Sequence, residues 1–226
     1  MRISPRGPAQ RSRLPGRPVA RLLHLRDAAR DWDAAVTDRQ RGPQLGLERG
    51  KVFPASHARS LLNPARRLVQ SPRRTVAAIG LGPDARVLEL GCGPGFFSPL
   101  LVRATQGPVV LFDLQLEMLR IARDRVRFAP GAACLQGDGS RLPLGNSSLD
   151  AVFIATVLGE IPDQAGCLEE VRRVLRPGGT FAVSETRRDS DFIALRTLTE
   201  LVASHGFELA GVKGFRWQYV ALFRPN

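Results

Sequence analysis

Apolar residues along this chain fall into two periodic patterns that alternate. Short apolar runs occur near 86–90, 108–112, 132–136, 149–155 and 180–185. Stretches with apolar positions three and four residues apart fill 96–104, 115–127, 164–175 and 191–204. The runs predict strands and the stretches predict helices. Strands that alternate with helices in this way imply a parallel sheet covered on both faces. Two further runs, near 207–212 and 217–223, are separated only by Lys213 and Gly214. With no helix to cross over, they predict an antiparallel hairpin at the end of the sheet.

The pattern changes character upstream. Residues 1–18 mix prolines and glycines with arginines and contain no acidic residue, which predicts disorder. An organelle transit peptide is the other reading of such a start, and the prolines oppose the amphipathic helix it forms. From Val19 to Val36, apolar positions return at helical spacing and predict an amphipathic helix about 27 Å long. That helix either packs on the domain or offers a basic face to acidic lipid or nucleic acid. Gly42, Pro43, Gly46 and Gly50 mark a linker, and Ser56 to Pro72 predicts a short helix, an Asn63-Pro64 break and a second basic helix. The expected organisation is a basic extension over 1–50, a helical lead-in over 51–80 and an α/β domain over 81–226.

The most specific local signal is VLELGCGPGFFS, Val87 to Ser98, where a strand runs into Gly91, Gly93 and Gly95. Glycine suits a tight strand-to-helix turn because it tolerates positive φ and lets a ligand lie against bare backbone. By itself such a turn is shared by dinucleotide enzymes, phosphate binders and structural turns. Acidic residues at three successive strand ends sharpen it: Glu89, then Asp113 closing VVLFD, then Asp138 after AACLQG. This set, with LPLGNSSLDAVF (Leu142 to Phe153) and LEEVRRVLRPGGTFAVSE (Leu168 to Glu185), resembles the class I S-adenosylmethionine-dependent methyltransferases. Within that family it is similar to the ubiquinone and menaquinone C-methyltransferase group.

The resemblance covers roughly Val76 to Phe223. It implies a Rossmann-like, seven-stranded, mostly parallel sheet with helices on both faces and an antiparallel C-terminal hairpin. It also implies S-adenosylmethionine as cofactor and a small organic molecule as methyl acceptor. Asp113 is then placed for the ribose hydroxyls, Glu89 for the methionine end and Asp138 for the adenine amino group, with Gly91, Gly93 and Gly95 against the cofactor. Each residue also has a purely structural reading. Asp113 suits a cap on the helix starting near Gln115, Glu89 a bond to the turn's own backbone, and Gly137-Asp138-Gly139 a tight turn. In ATVLGEIPD (Ala155 to Asp163), where related enzymes often carry histidine, this chain has Gly159 and Glu160. Glu160 is the candidate catalytic residue, to orient or deprotonate an acceptor, or else a cap on the next helix.

Composition limits the alternatives. The chain has 226 residues, 43% of them hydrophobic, and a net charge of +12. The whole charge surplus lies before residue 81, because acidic and basic residues balance after it. Nucleic-acid binding is therefore not expected of the α/β domain, and an Arg-rich arm on RNA or an acidic partner is the rival function. Lys51 and Lys213 are the only lysines, so the arginine bias fits a GC-rich genome. A nicotinamide-dependent oxidoreductase is a second rival, permitted by the glycine turn and Asp113. Cys92, Cys134 and Cys167 lack CxxC spacing, which favours a reducing, cytoplasmic setting. With histidine only at positions 24, 57 and 205, no metal site is expected. No run is long enough to span a membrane. Phe215, Trp217 and Tyr219 alternate along the last strand and read as core or edge aromatics.

Overall fold

A computed structural model describes residues 54–187, 189, 191–215 and 218–226 of the chain. The extension over 1–50, its amphipathic helix and Trp217 lie outside the described residues. Seven strands form one sheet: β1 Val87–Leu90, β2 Val109–Asp113, β3 Ala132–Gln136, β4 Leu149–Ala155, β5 Leu175–Thr186, β6 Phe207–Phe215 and β7 Gln218–Pro225. Their order is β3-β2-β1-β4-β5-β7-β6. The first five are mutually parallel, and β7 lies antiparallel between β5 and β6. This is the Rossmann-like, mostly parallel sheet with a C-terminal antiparallel pair that the sequence predicts.

The described α-helices are α1 Ala58–Leu61, α2 Arg66–Val69, α3 Pro72–Ile79, α4 Ser98–Ala104, α5 Leu116–Val126, α6 Gln164–Val174 and α7 Leu195–Ala203. Their ends follow from local chemistry. Ser71 Oγ accepts the Arg74 amide, Pro72 supplies a preset φ, and Gly80 stops α3 at φ 72°. Asp163 caps α6 by accepting the Gly166 amide at 2.9 Å.

Period-2 alternation divides the core between the two faces of the sheet. On one face Leu88, Val110, Val152, Ile154, Phe181 and Val183 pack with α6 and α7. On the other, Val87, Val109, Leu111 and Phe153 pack with α3, α4 and α5. All four residues of β1 and all five of β2 are buried, as expected for parallel strands covered on both sides.

One local expectation is corrected. Lys213 and Gly214 do not form the hairpin turn: they lie in β6, paired with Val220 and Tyr219, and the pairing closes at Phe215 and Gln218. Gly214 is required by close approach, since a Cβ there would meet the Gln218 carbonyl oxygen at 2.5 Å. The Pro177-Gly178-Gly179 turn is an irregularity within β5, whose pairing with β4 jumps from Leu149–Leu175 to Ala151–Thr180. Tyr219 is a packed aromatic; its hydroxyl donates to the Ile193 carbonyl at 2.6 Å.

Reversal of strand order between β1 and β4 opens a crevice at their carboxyl ends, the place where open α/β sheets bind ligands. Phe153, fully buried in central β4 and edge-on to Phe97 at 5.3 Å, supports that crevice from below. We predict that Phe153→Ala lowers stability by about 3–5 kcal/mol in urea denaturation.

Candidate functional site

The turn after β1 winds through three positive φ values, 71° at Gly91, 52° at Gly93 and 77° at Gly95. The space around each glycine differs. A Cβ at Gly91 would strike Val157 at 2.5 Å, and one at Gly95 would meet Ala122 at 3.0 Å. At Gly93 the nearest atom would be Leu61 Cδ1 at 4.0 Å, so that position opens into the crevice. Two glycines are thus needed for packing and the middle one leaves bare backbone facing the crevice.

That crevice is a cavity of about 1040 Å³, lined by the glycine turn, Glu89, Asp113, Asp138, Glu160 and the lead-in residues Leu61, Arg66 and Gln70. Its volume suits a nucleoside-sized ligand with a second molecule beside it. Every site residue expected from the sequence except Gly95 lines it.

Asp113 holds the entrance of the turn. Its Oδ2 accepts the Gly93 amide at 2.8 Å and its Oδ1 accepts the Gln115 amide at 2.9 Å. The capping reading is therefore realised, yet the carboxylate keeps acceptor capacity beyond its backbone amides. Burial raises the Asp113 pKa, and the backbone amides of Gln115, Gly93 and Leu114 pull it back.

Glu89 does not bond to the turn's backbone; Ser98 Oγ at the start of α4 donates to it at 2.5 Å. The residue is 3% exposed. Burial pushes its pKa up to about 8, against the Ser98 hydrogen bond and assisted by the Asp113 charge. A neutral acid facing a cavity is a latent partner for a cation, which would return it to the carboxylate form. Asp138 commits Oδ1 to the amide and hydroxyl of Ser140, both at 2.9 Å, so its tight-turn reading is also realised. It nonetheless lines the cavity, as Asp113 does.

Glu160 ends the 3₁₀ turn Leu158–Glu160 after β4 and faces the cavity. The cap of α6 is Asp163, so the capping alternative for Glu160 is set aside. Behind it, Glu185 is 1% exposed, and neither carboxylate oxygen has a hydrogen-bond partner of normal geometry. Burial and the Asp189 charge raise the Glu185 pKa to about 8, with Glu160 and Asp191 adding to the rise against the Ile193 amide.

The sequence did not single out four further residues at the cavity. Arg66 and Gln70 reach it from the lead-in, Phe96 from the glycine turn and Thr156 from the end of β4. Thr156 has φ 52°, an outlier for a β-branched residue. Nothing in its neighbours announces this. The i,i+4 pair Arg66 and Gln70 was legible in principle but hidden among many arginines.

Among the described residues no cluster of His, Cys, Asp or Glu is arranged to hold a metal ion, and no helix is long and apolar enough to cross a membrane.

Comparison with known proteins places this geometry in context. Residues 88–183 match the methyltransferase domain family. The chain is 40% identical over 113 residues to the demethylmenaquinone methyltransferase of Mycobacterium sp. (strain KMS), covering 50% of this chain and 46% of that protein. It is 35% identical over 145 residues to the trans-aconitate 2-methyltransferase of Azoarcus sp. (strain BH72), covering 64% and 55% respectively. The chain thus spans about half the length of these curated relatives. A SAM-dependent methyltransferase from Aquifex aeolicus shares the fold with a TM-score of 0.73 at 21% identity, over 77% of this chain and 100% of that one.

Glu89 and Glu185 give a pH prediction. Both carboxyls titrate near 4.5 when unfolded and near 8 when folded. Between those values the folded state binds more protons, so their contribution is full below about pH 4.5 and is lost as pH rises through 8. Urea stability of the ligand-free protein is expected to fall between about pH 5 and 8 by up to about 1.4 kcal/mol per pH unit per group. Glu89→Gln should flatten that slope; an unchanged slope would exclude Glu89 as its source.

Proposed function

We propose that this chain, whose residues 88–183 match the methyltransferase domain family, is a class I S-adenosylmethionine-dependent methyltransferase that transfers a methyl group from S-adenosylmethionine to a small organic acceptor. The observation that carries the reading is the convergence of Glu89, Asp113 and Asp138 on one cavity around the open backbone of Gly93. Three acids suit a ligand bearing hydroxyls, an amine and cationic sulfur. They suit a pyrophosphate poorly, which disfavours a nicotinamide cofactor. The antiparallel β7, placed between β5 and β6, also departs from an all-parallel dinucleotide fold.

Bound in the cavity, the cofactor supplies an electrophilic methyl group on a sulfonium that leaves as a neutral thioether. The residues of the chain then act chiefly by position. Asp113 holds the ribose through its remaining acceptor capacity while its bonds to backbone amides keep the glycine turn in register. Glu89 receives the ammonium end and passes from neutral acid to carboxylate as it does so. Asp138 faces the adenine amino group with Oδ2. The lead-in, lying over the crevice with Leu61, Arg66 and Gln70, excludes water from the reacting pair. Glu160, on the loop after β4, orients the acceptor or takes its proton where an oxygen or acidic carbon is methylated.

The relatives named for demethylmenaquinone and trans-aconitate support a small organic acceptor. Glu160 in place of a histidine leaves the methylated atom open. An Arg-rich arm acting on RNA or an acidic partner rests on residues outside the described structure, and no observation at the cavity favours it.

Calorimetric titration with S-adenosylmethionine and S-adenosylhomocysteine, with NADH and NADPH as controls, tests the reading. Saturable binding of the first pair alone is expected; a folded protein that binds neither would overturn it. Asp113→Ala should weaken binding by roughly 10–100-fold, the equivalent of about 1.5–3 kcal/mol. Gly93→Val, which fills the open backbone position at φ 52°, should weaken it at least as much.

A further inference from the structure

The lead-in does more than cover the cavity. Gln70 is 0% exposed, yet among the described residues its Nε2 has no hydrogen-bond partner. Arg66 Nε donates to Gln70 Oε1 at 3.0 Å. An arginine can only donate, so this bond fixes the amide orientation and leaves both N–H groups of Gln70 unspent. A buried amide donor left in this state costs about 1–3 kcal/mol unless something accepts from it.

Arg66 is itself half-buried. Its guanidinium carbon stands 4.6 Å over the Phe96 ring, and its other nitrogens donate to Leu61 O at 3.2 Å and Thr156 Oγ1 at 3.3 Å. Burial lowers its pKa, and the Asp189 charge partly restores it. Among the described residues it makes no salt bridge. A half-buried cation and an unspent amide donor therefore adjoin at the cavity wall, against the glycine turn and the strained Thr156.

We propose that Arg66 and Gln70 form a carboxylate subsite of the cavity. A carboxylate offers two coplanar oxygens, matched to one guanidinium edge and one amide N–H, at a single charge. A phosphate would bring greater negative charge among Glu89, Asp113, Asp138 and Asp189, which line the same cavity. The carboxylate is either that of the cofactor's amino-acid end or one on the acceptor. The inference rests on the methyltransferase reading for the first source and only on the cavity for the second.

The test compares S-adenosylhomocysteine with 5′-methylthioadenosine, which keeps the nucleoside and sulfur but lacks the amino-acid end. Calorimetry on wild type, Arg66→Met, Arg66→Lys and Gln70→Leu reads the affinities. Succinate, citrate and benzoate are added to the S-adenosylhomocysteine-loaded proteins, and the shift in melting temperature is read. For the cofactor source, Arg66→Met weakens S-adenosylhomocysteine about 10–100-fold and 5′-methylthioadenosine less than about 2-fold, with partial rescue by lysine. Gln70→Leu gives a smaller selective loss. For the acceptor source, both nucleosides bind all variants equally, and a carboxylate that stabilises wild type loses its effect in Arg66→Met. Equal weakening of both nucleosides would mean that Arg66 only staples the lead-in, and the proposal fails. Wild-type behaviour in every variant also overturns it. If wild type binds neither nucleoside, the methyltransferase reading fails instead, and the carboxylate shifts, repeated without nucleoside, decide the subsite alone.

Discussion

The carboxylate of Asp113 ties two successive crossovers together, and the shape of the site depends on that tie. One oxygen holds the Gly93 amide in the turn after β1, and the other holds the Gln115 amide at the entry to α5. A glycine turn with three positive φ values has little intrinsic preference for one conformation, because glycine loses the most freedom on ordering. An external acceptor at its centre selects one geometry. The close fits of Gly91 against Val157 and Gly95 against Ala122 then lock its ends. What remains open is the backbone at Gly93, set against the cavity.

Around this turn the protein keeps several groups in states that folding alone does not favour. Glu89 and Glu185 are buried acids whose carboxylates are disfavoured, Gln70 has an unspent amide donor, and Thr156 sits in the left-handed region. Each lowers stability, and all adjoin the same end of the sheet. Such clustering is the mark of a site whose residues are arranged for a ligand. The opposite ends of the strands carry satisfied pairs, such as the Arg86 and Asp150 ion pair at 2.9 Å.

The charge distribution within the cavity has a direction. Acids occupy the ends of β1, β2 and the β3 loop, and the half-buried Arg66 cation comes from the lead-in. A zwitterionic or partly cationic ligand matches this layout better than a polyanion does. The lead-in thus lines the same cavity, although its first two α-helices, Ala58–Leu61 and Arg66–Val69, have only one turn each.

Strands, helices, the glycine turn and the three strand-end acids were legible in the sequence because each depends on a local rule. Periodicity of 2 or 3.6, the conformational freedom of glycine and the position of an acid at the end of an apolar run are properties of neighbouring residues. Gly214 was misread as a turn because a glycine needed for close strand approach looks the same locally as one needed for reversal. Tertiary structure alone decided which of the realised local bonds also face a ligand, and that Glu89 bonds to Ser98. It also brought Arg66 to Thr156 across 90 positions of sequence. The physical reason is that a side chain's partners across the crevice are set by strand order and by the packing of the lead-in on the sheet. Neither is encoded in the spacing around that side chain.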